Sequence, residues 1–215
     1  MHYAARIQLS RGTVSTPGAE AVEATGLDPR VLRVSFRAGD DLPGWLATYF
    51  NVPQVFGSAG GPRNHQTDRF VGADCADVVV GALRAAGRRD VAYTSVGGLT
   101  RYARFVSDTL LQLDDGRIVT DDATRRPVTL CFGEDVRRGD IVILDYVGYA
   151  DLPRPWDHVG VLGDDDGDGV LDPGDPLFHM GLDTGLTVEP LRAQGHVRLR
   201  VLRLRPAYAL APARV

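Results

Sequence analysis

The sequence predicts an α+β domain in which helices pack on an antiparallel sheet, preceded by a short N-terminal β-segment. Segments with helical periodicity come first along the chain, and segments typical of strands follow them. The chain has 215 residues, enough for one sizeable domain with its own core. Its apolar fraction of 44% and charged fraction of 24% are ordinary values for a globular protein.

The N-terminal part of the chain carries two short runs that favour strands. Residues 5–9 and 31–36 contain alternating stretches and are separated by Gly, Pro and Ser. We therefore assign residues 1–40 to an N-terminal β-segment and residues 41–208 to the main domain. Residues 45–50 predict a short helix near the start of that domain.

Two longer helices are predicted next. Apolar side chains recur at helical spacing over residues 74–86, where Asp74 can cap the start and Gly87 ends the helix. A second apolar stripe at the same spacing predicts a helix over residues 96–111.

The second half of the chain is typical of antiparallel strands. Four runs rich in β-branched and other apolar residues predict strands, and they are residues 141–146, 158–162, 176–180 and 197–204. In the last run, apolar residues alternate with Arg up to Val201 and change phase at Leu202. A change of phase predicts a β-bulge there.

The charge distribution excludes some classes of partner. Six of the 28 acidic residues lie in one loop, and the rest of the chain is close to neutral, although the net charge is −4. Nothing here indicates binding to nucleic acid or to an anionic membrane. No stretch approaches the ~20 apolar residues that span a membrane. The N-terminus shows no signal-peptide core, so a secreted or periplasmic location is favoured only if a leader was removed, and the oligomeric state stays open.

The two cysteines occupy different settings. Cys131 lies in an apolar run, where a buried and inert thiol is expected. Cys75 opens the first long helix, where unpaired N–H groups and the helix dipole favour a thiolate. The neighbouring Asp74 and Asp77 would raise the pKa of this thiol. A nucleophilic Cys75 therefore needs a base.

Two histidines could supply that base. If residues 158–179 form a hairpin with Leu162 opposite Asp175, His158 and His179 face each other on one side of the sheet. His158 would then be the general base, and His179 would orient its ring. Cys75 and the two histidines could also bind zinc, but the chain has no short pair of zinc ligands, so thiol catalysis is favoured. The other histidines are predicted to lie apart from the site: His2, His65 and His196.

The acidic loop between these histidines has the ligand spacing of an EF-hand, with Gly169 at the sharp turn. The predicted calcium ligands are the side chains of Asp164, Asp166, Asp168, Asp172 and Asp175 and the backbone carbonyl of Val170. The flanking segments are typical of strands rather than helices, so we expect a structural Ca²⁺ that stiffens a hairpin. The alternative is a solvated acidic turn without an ion.

Short motifs in the same order resemble those of the NlpC-type cell-wall peptidases, a papain-like family. Residues 74–79, followed by 85–87, resemble the family's Asp-Cys-Ser-Gly nucleophile helix, with Ala76-Asp77 in place of Ser-Gly. The other similar segments are residues 138–142 (the Gly-Asp strand), 158–161 (the His-Val-Gly-Ile strand), 178–179 (the strand with the orienting His) and 53–57 (a segment that lines the site).

The resemblance implies a papain-like fold with Cys75 as nucleophile, His158 as base and His179 as the orienting residue. Gln54 stands where the family has a Tyr, and its amide could donate to an oxyanion. The implied activity is cleavage of a peptide or amide bond, in a peptide or peptidoglycan-like substrate, through an acyl-thioester. Two alternatives stay open: an acyltransferase that uses the same site, and a non-catalytic, calcium-stabilised binding domain, which Asp77 beside the thiol favours.

Overall fold

The computed structural model describes residues 5–15, 22–23, 26–27, 33–61, 64–148 and 156–206. Across these ranges the protein is of the α+β class, as the sequence predicts, with few helices and one antiparallel sheet of eight strands. No helix in the described ranges is both long and apolar enough to cross a membrane.

The sheet has the strand order β11-β10-β9-β8-β12-β6-β7, and β5 also pairs with β12. The strands are β1 (Arg6–Leu9), β2 (Gly12–Ser15), β3 (Val22–Glu23), β4 (Gly26–Leu27), β5 (Ala103–Phe105), β6 (Leu110–Gln112), β7 (Ile118–Thr120), β8 (Ile141–Tyr146), β9 (His158–Leu162), β10 (Pro176–Gly181), β11 (Gly185–Pro190) and β12 (Val197–Leu204). The helices are α1 (Leu42–Leu46) and α2 (Cys75–Ala85), with 3₁₀ turns at Ala47–Tyr49, Thr67–Arg69, Val96–Arg101 and Leu191–Gln194. The four strands predicted in the second half are confirmed as β8, β9, β10 and β12.

Two hydrophobic cores lie on the two faces of the sheet. On one face, residues of α1 and α2 such as Leu46 and Val79 pack with Ile143. On the other face, Leu144 and Leu162 belong to a second core. Because neighbouring residues of β8 enter different cores, the central strands are buried on both faces, which explains their nearly continuous apolar sequence.

The bulge predicted in β12 is wrong. The pairing of β12 with β8 is continuous over residues 197–202. Val201 enters the second core and Leu202 the first, so the change of phase reflects burial on both faces. The pairing is instead irregular on the other side of β12, in the segment that links β5 to β6. There Val106 N–H donates to the Val201 carbonyl at 2.9 Å, and Ser107 Oγ accepts from Val201 N–H at 2.9 Å.

The prediction of a second long helix, over residues 96–111, is also wrong. Residues 96–111 form the 3₁₀ turn Val96–Arg101, then β5 and the start of β6. Gly97 and Gly98 cost helical stability because they lose the most backbone entropy, and Ser95 makes no side-chain cap. The apolar side chains at helical spacing are instead buried from a turn and two short strands.

The N-terminal segment is described only in part. β1 and β2 form a hairpin with exposed side chains. The strand predicted at residues 31–36 begins outside the described residues, and its described part is not a strand. There Arg33 donates to the carbonyls of Thr48 and Phe50 and stacks 4.7 Å from the ring centre of Phe70. This segment therefore packs beside the α1 region, where the helix predicted at residues 45–50 is seen as α1 and a 3₁₀ turn.

Candidate active site

Cys75 is the first residue of α2, directly after the N-cap residue Asp74. The Asp74 carboxylate accepts from the N–H groups of Ala76 at 3.0 Å and Asp77 at 2.8 Å. The thiol therefore stands at the positive end of the helix dipole. The backbone N–H of Val159 in β9 also interacts with the Cys75 sulfur. These contacts place the sulfur against the start of β9.

Burial dominates the acidity of this thiol. It raises the pKa of Cys75 to about 12, and the charge of Asp74 raises it further, whereas the N–H groups of Val159 and Ala76 lower it. Cys75 is therefore a neutral thiol at pH 7 in the resting protein. The helix N-terminus alone does not produce a thiolate here.

The two histidines lie on β9 and β10, which form the expected hairpin in a different register. His179 pairs with Gly160, whereas the expected pairing of Leu162 with Asp175 would have placed it opposite His158. The predicted register is thus wrong by two residues. A shift of two keeps every side chain on its face. The rings consequently still meet, with His158 Nε2 at 3.0 Å from His179 Nδ1.

Both imidazoles are neutral at pH 7. Burial lowers the pKa of His158 to about 3, and the neighbouring His179 lowers it further. Burial also lowers the pKa of His179, against a smaller opposite effect of Glu189. Because Nε2 of His158 is engaged by His179, Nδ1 is the nitrogen left for a thiol. In the described ranges, no hydrogen bond joins Cys75 to His158.

Three further polar side chains, for which the sequence predicts no role, extend this pair. His179 Nε2 lies 3.2 Å from Gln194 Nε2 and 3.4 Å from Glu189 Oε2. The Tyr146 hydroxyl donates to Gln194 Oε1 at 2.8 Å. These residues come from β8, β11 and the 3₁₀ turn before β12, and no motif marks them. Tyr146 and Glu189 could have been noticed only as polar residues within strands, and Gln194, which lies in a turn, carries no comparable signal.

Gln54 lies beside Ala73, which belongs to the segment that immediately precedes α2. It forms an isolated parallel bridge with Ala73. Val55 N–H donates to the Ala73 carbonyl at 3.0 Å, and Ala73 N–H donates to the Pro53 carbonyl at 3.1 Å. The side-chain amide of Gln54 makes no hydrogen bond to any residue that the structure describes, so its donors are available to a ligand.

A buried polar cluster contacts the first turn of α2. The Asp77 carboxylate is fully buried, accepts from Ser58 Oγ at 2.7 Å and lies 3.9 Å from His65 Nε2. The His65 ring stacks on Tyr93 with ring centres 3.4 Å apart. Burial raises the pKa of Asp77 to about 6. His65 is predicted to lie apart from the site, but His65 and Ser58 anchor the loop before Cys75 to the helix.

The acidic loop explains the register of the hairpin. Asp175 is fully buried and accepts from the N–H groups of Asp172 at 2.8 Å and Asp166 at 3.2 Å. Its carboxylate therefore closes the loop. The backbone of Asp175 is also engaged away from β9, because its N–H donates to the Asp172 carbonyl at 3.2 Å and its carbonyl accepts from Leu191 N–H at 2.8 Å. Asp164 does not take part in this closure and accepts from Arg138 Nη1 at 2.5 Å.

The carboxylates of the loop converge in two groups that could hold a metal ion. Within each group, one oxygen of each residue lies within 4.8 Å of the others. The groups are Asp166, Asp172 and Asp175, and Asp165, Asp166 and Asp168. Of the predicted ligands, Asp166 is thus brought together with Asp172 and Asp175 in one group and with Asp168 in the other, where Asp165 joins them. Asp164 belongs to neither group. The predicted carbonyl ligand, Val170, has its N–H bound to Asp168 Oδ1 at 2.9 Å.

Comparisons with known proteins identify no relative of this chain. Known protein families, curated proteins and solved structures all gave no match. The NlpC-type resemblance therefore remains one of short motifs, and a functional proposal depends on the geometry of the residues themselves.

Proposed function

We propose that the protein is a cysteine hydrolase of papain-like, NlpC-type fold that cleaves a peptide or amide bond, with a peptide or peptidoglycan-like substrate. Cys75 is the nucleophile, His158 is the general base, and His179 orients the base. One observation carries the proposal. The 3.0 Å contact between His158 Nε2 and His179 Nδ1 leaves Nδ1 of His158 for the thiol, while Cys75 starts a helix beside the same strand.

The reaction starts from two neutral groups. With the pKa of Cys75 near 12 and that of His158 near 3, a thiolate–imidazolium pair is not the resting form. Nδ1 of His158 therefore takes the thiol proton while sulfur attacks the carbonyl carbon, which is general-base catalysis. Hydrogen bonds of this kind are often long without substrate and tighten when it binds.

The proton then completes the acyl transfer. His158 returns it to the leaving amine as the C–N bond breaks, which leaves an acyl-thioester on Cys75. Water attacks this thioester with His158 again as base and regenerates the thiol. An acceptor other than water would make the same site an acyltransferase.

The oxyanion of the tetrahedral intermediate needs donors near the start of α2. Asp74 already engages the N–H groups of Ala76 and Asp77, so the N–H of Cys75 is the donor left at this end of the helix. The backbone of Gln54 bridges to Ala73, two residues before Cys75, and its side-chain amide would supply a second donor.

A non-catalytic binding domain is the second candidate. It is favoured by the strongly raised pKa of the Cys75 thiol and by the lack of a Cys75–His158 hydrogen bond in the described ranges. In this case the His158–His179 contact stabilises the hairpin and has no role in proton transfer.

Alkylation of Cys75 by iodoacetamide, followed by mass spectrometry from pH 5 to 9, separates the two candidates. Cys131 in the same molecule is an internal reference for an ordinary half-buried thiol. A catalytic site predicts that alkylation of Cys75 depends on His158, so that His158→Gln slows Cys75 by at least ~10-fold while Cys131 is unchanged. Equal Cys75 rates in both proteins would overturn the enzyme proposal.

We also propose a structural Ca²⁺ in the acidic loop. Six carboxylates in one loop repel each other strongly without a counter-ion, and oxygen donors are the ligands that Ca²⁺ prefers. The group of Asp166, Asp172 and Asp175 supports this proposal because Asp175 also closes the loop. The ion would fix the hairpin that carries both histidines.

A further inference from the structure

The Nε2 atom of His179 has two neighbours that require opposite protonation states of it, one with a lone pair on Nε2 and the other with a hydrogen. The amide nitrogen of Gln194, at 3.2 Å, can only donate, so it requires a lone pair on Nε2. The carboxylate of Glu189, at 3.4 Å, can only accept when ionised, so it requires a hydrogen on Nε2. A neutral imidazole satisfies one of these contacts at a time.

The tautomer of His179 determines the tautomer of His158. When Gln194 donates to Nε2, the hydrogen of His179 sits on Nδ1 and is donated to Nε2 of His158. His158 then carries its own hydrogen on Nδ1 and cannot accept a proton there. When Glu189 accepts from Nε2, Nδ1 of His179 accepts from His158, and Nδ1 of His158 is left with a lone pair.

Gln194 and Glu189 differ in how strictly each of them selects one tautomer of His179. The amide of Gln194 contacts the Tyr146 hydroxyl at its other end. Because a hydroxyl donates or accepts, the amide can turn over and present its oxygen to His179 instead. Gln194 therefore fits both states. Glu189 fits only the state in which His158 can act as a base.

We propose that Glu189 is a positioning residue that holds His179 and His158 in their Nε2–H tautomers and so keeps Nδ1 of His158 ready to accept the Cys75 proton. The inference rests on the proposed function of Cys75, but it makes a claim about tautomers that can be measured without any reaction. A hydrogen bond to an ionised acceptor is about twice as strong as one between neutral groups. The carboxylate thus biases the pair, whereas an amide does not.

The tautomers are visible in long-range ¹H–¹⁵N correlation spectra of the ¹⁵N-histidine-labelled protein. The spectra are recorded at pH 7.5, where both imidazoles are neutral, for the wild type, Glu189→Gln and Glu134→Gln. Glu134 is exposed on a turn next to Gly133, so its variant makes the same charge change away from the histidines. His158→Gln and His179→Gln assign the signals.

The wild type and Glu134→Gln are expected to show both histidines as Nε2–H tautomers. In Glu189→Gln, the ratio of Nε2–H to Nδ1–H is expected to fall by about tenfold at both rings. Unchanged tautomers in Glu189→Gln, with thermal unfolding like that of the wild type, would overturn the inference. A wild type already in the Nδ1–H form would overturn it as well.

The rate of Cys75 alkylation, measured on the same proteins, separates this inference from the proposed function. A tautomer shift in Glu189→Gln together with slower alkylation supports both. A tautomer shift without any change in alkylation supports the role of Glu189 and overturns the role of His158 as base. Alkylation slowed in Glu134→Gln as well would show a general effect of charge and count against Glu189.

Discussion

His158 Nε2 lies 3.0 Å from His179 Nδ1 although the two residues are not paired directly in the β9–β10 ladder. The diagonal position lets the two ring nitrogens meet with the ring planes at 88° and the ring centres 5.1 Å apart. In this arrangement an N–H in the plane of one ring points at the lone pair of the other. The contact fixes the His158 ring and leaves its Nδ1 atom without a hydrogen bond to any residue that the structure describes.

Acid should destabilise the protein through His158. The folded pKa is about 3, below the ordinary 6.5, so between these values the unfolded state binds more protons. The stability from the neutral ring is present above pH 6.5 and is lost as the pH falls towards 3. Urea unfolding at pH 7.5 and pH 5 should show a smaller loss for His158→Gln than for the wild type. His196→Gln, which removes a more exposed ring, should behave like the wild type.

Gly160 should resist substitution because it lies where β9 meets β10. A Cβ atom there would be 2.6 Å from Cγ and 2.8 Å from both Cδ atoms of Leu177. Gly160→Ala should lower the free energy of unfolding by ~1–3 kcal/mol. Since Gly160 pairs with His179, the same variant should disturb the histidine contact and slow Cys75 alkylation.

Leu177→Ala tests whether the clash between a Cβ at position 160 and Leu177 causes the loss of stability. If the clash is responsible, Gly160→Ala and Leu177→Ala together should cost less than the sum of the two single changes, as urea unfolding measures it. Strictly additive costs would mean that the strain lies elsewhere in the hairpin.

The sequence predicts the central strands because burial on two faces leaves a clear mark on residue choice, as in β8 and β12. It does not predict the hairpin register, since the backbone N–H and carbonyl of Asp175 bind Asp172 and Leu191 instead of β9. Local motifs in the sequence indicate Cys75 and the two histidines, but they do not indicate Glu189. The approach of Glu189 to His179 depends on how β11 folds back, which no local pattern records.

Asp77→Asn should stabilise the protein at neutral pH. The folded pKa of Asp77 is about 6 against an ordinary 3.8, because the carboxyl is buried. Its protonated form is favoured in the folded state, so stability is lost as the pH rises through 6. Asn keeps an acceptor for Ser58 and removes the charge. Urea unfolding should show a gain of ~1–3 kcal/mol at pH 7.5 and little change at pH 4. An equal gain at both pH values would show that charge is not the cause.

Calcium should raise the thermal midpoint of the wild type relative to chelator. An ion that binds only the folded state, at a concentration a hundredfold above its dissociation constant, adds ~2.7 kcal/mol, or roughly 5–10 °C for a chain of this size. Asp166 belongs to both carboxylate groups, so Asp166→Asn should abolish the shift. The same variant should melt higher than the wild type in chelator, because one of the repelling charges is gone.

An exposed carboxylate outside the loop provides the control for that experiment. Asp108→Asn makes the same charge change at an exposed position and should keep the full calcium shift. A shift that survives in Asp166→Asn would place the ion elsewhere. No shift in the wild type would mean that the loop is held by its own hydrogen bonds, with Asp175 on the N–H groups of Asp166 and Asp172. In that case the rigidity of the hairpin, and with it the His158–His179 contact, would not depend on a metal.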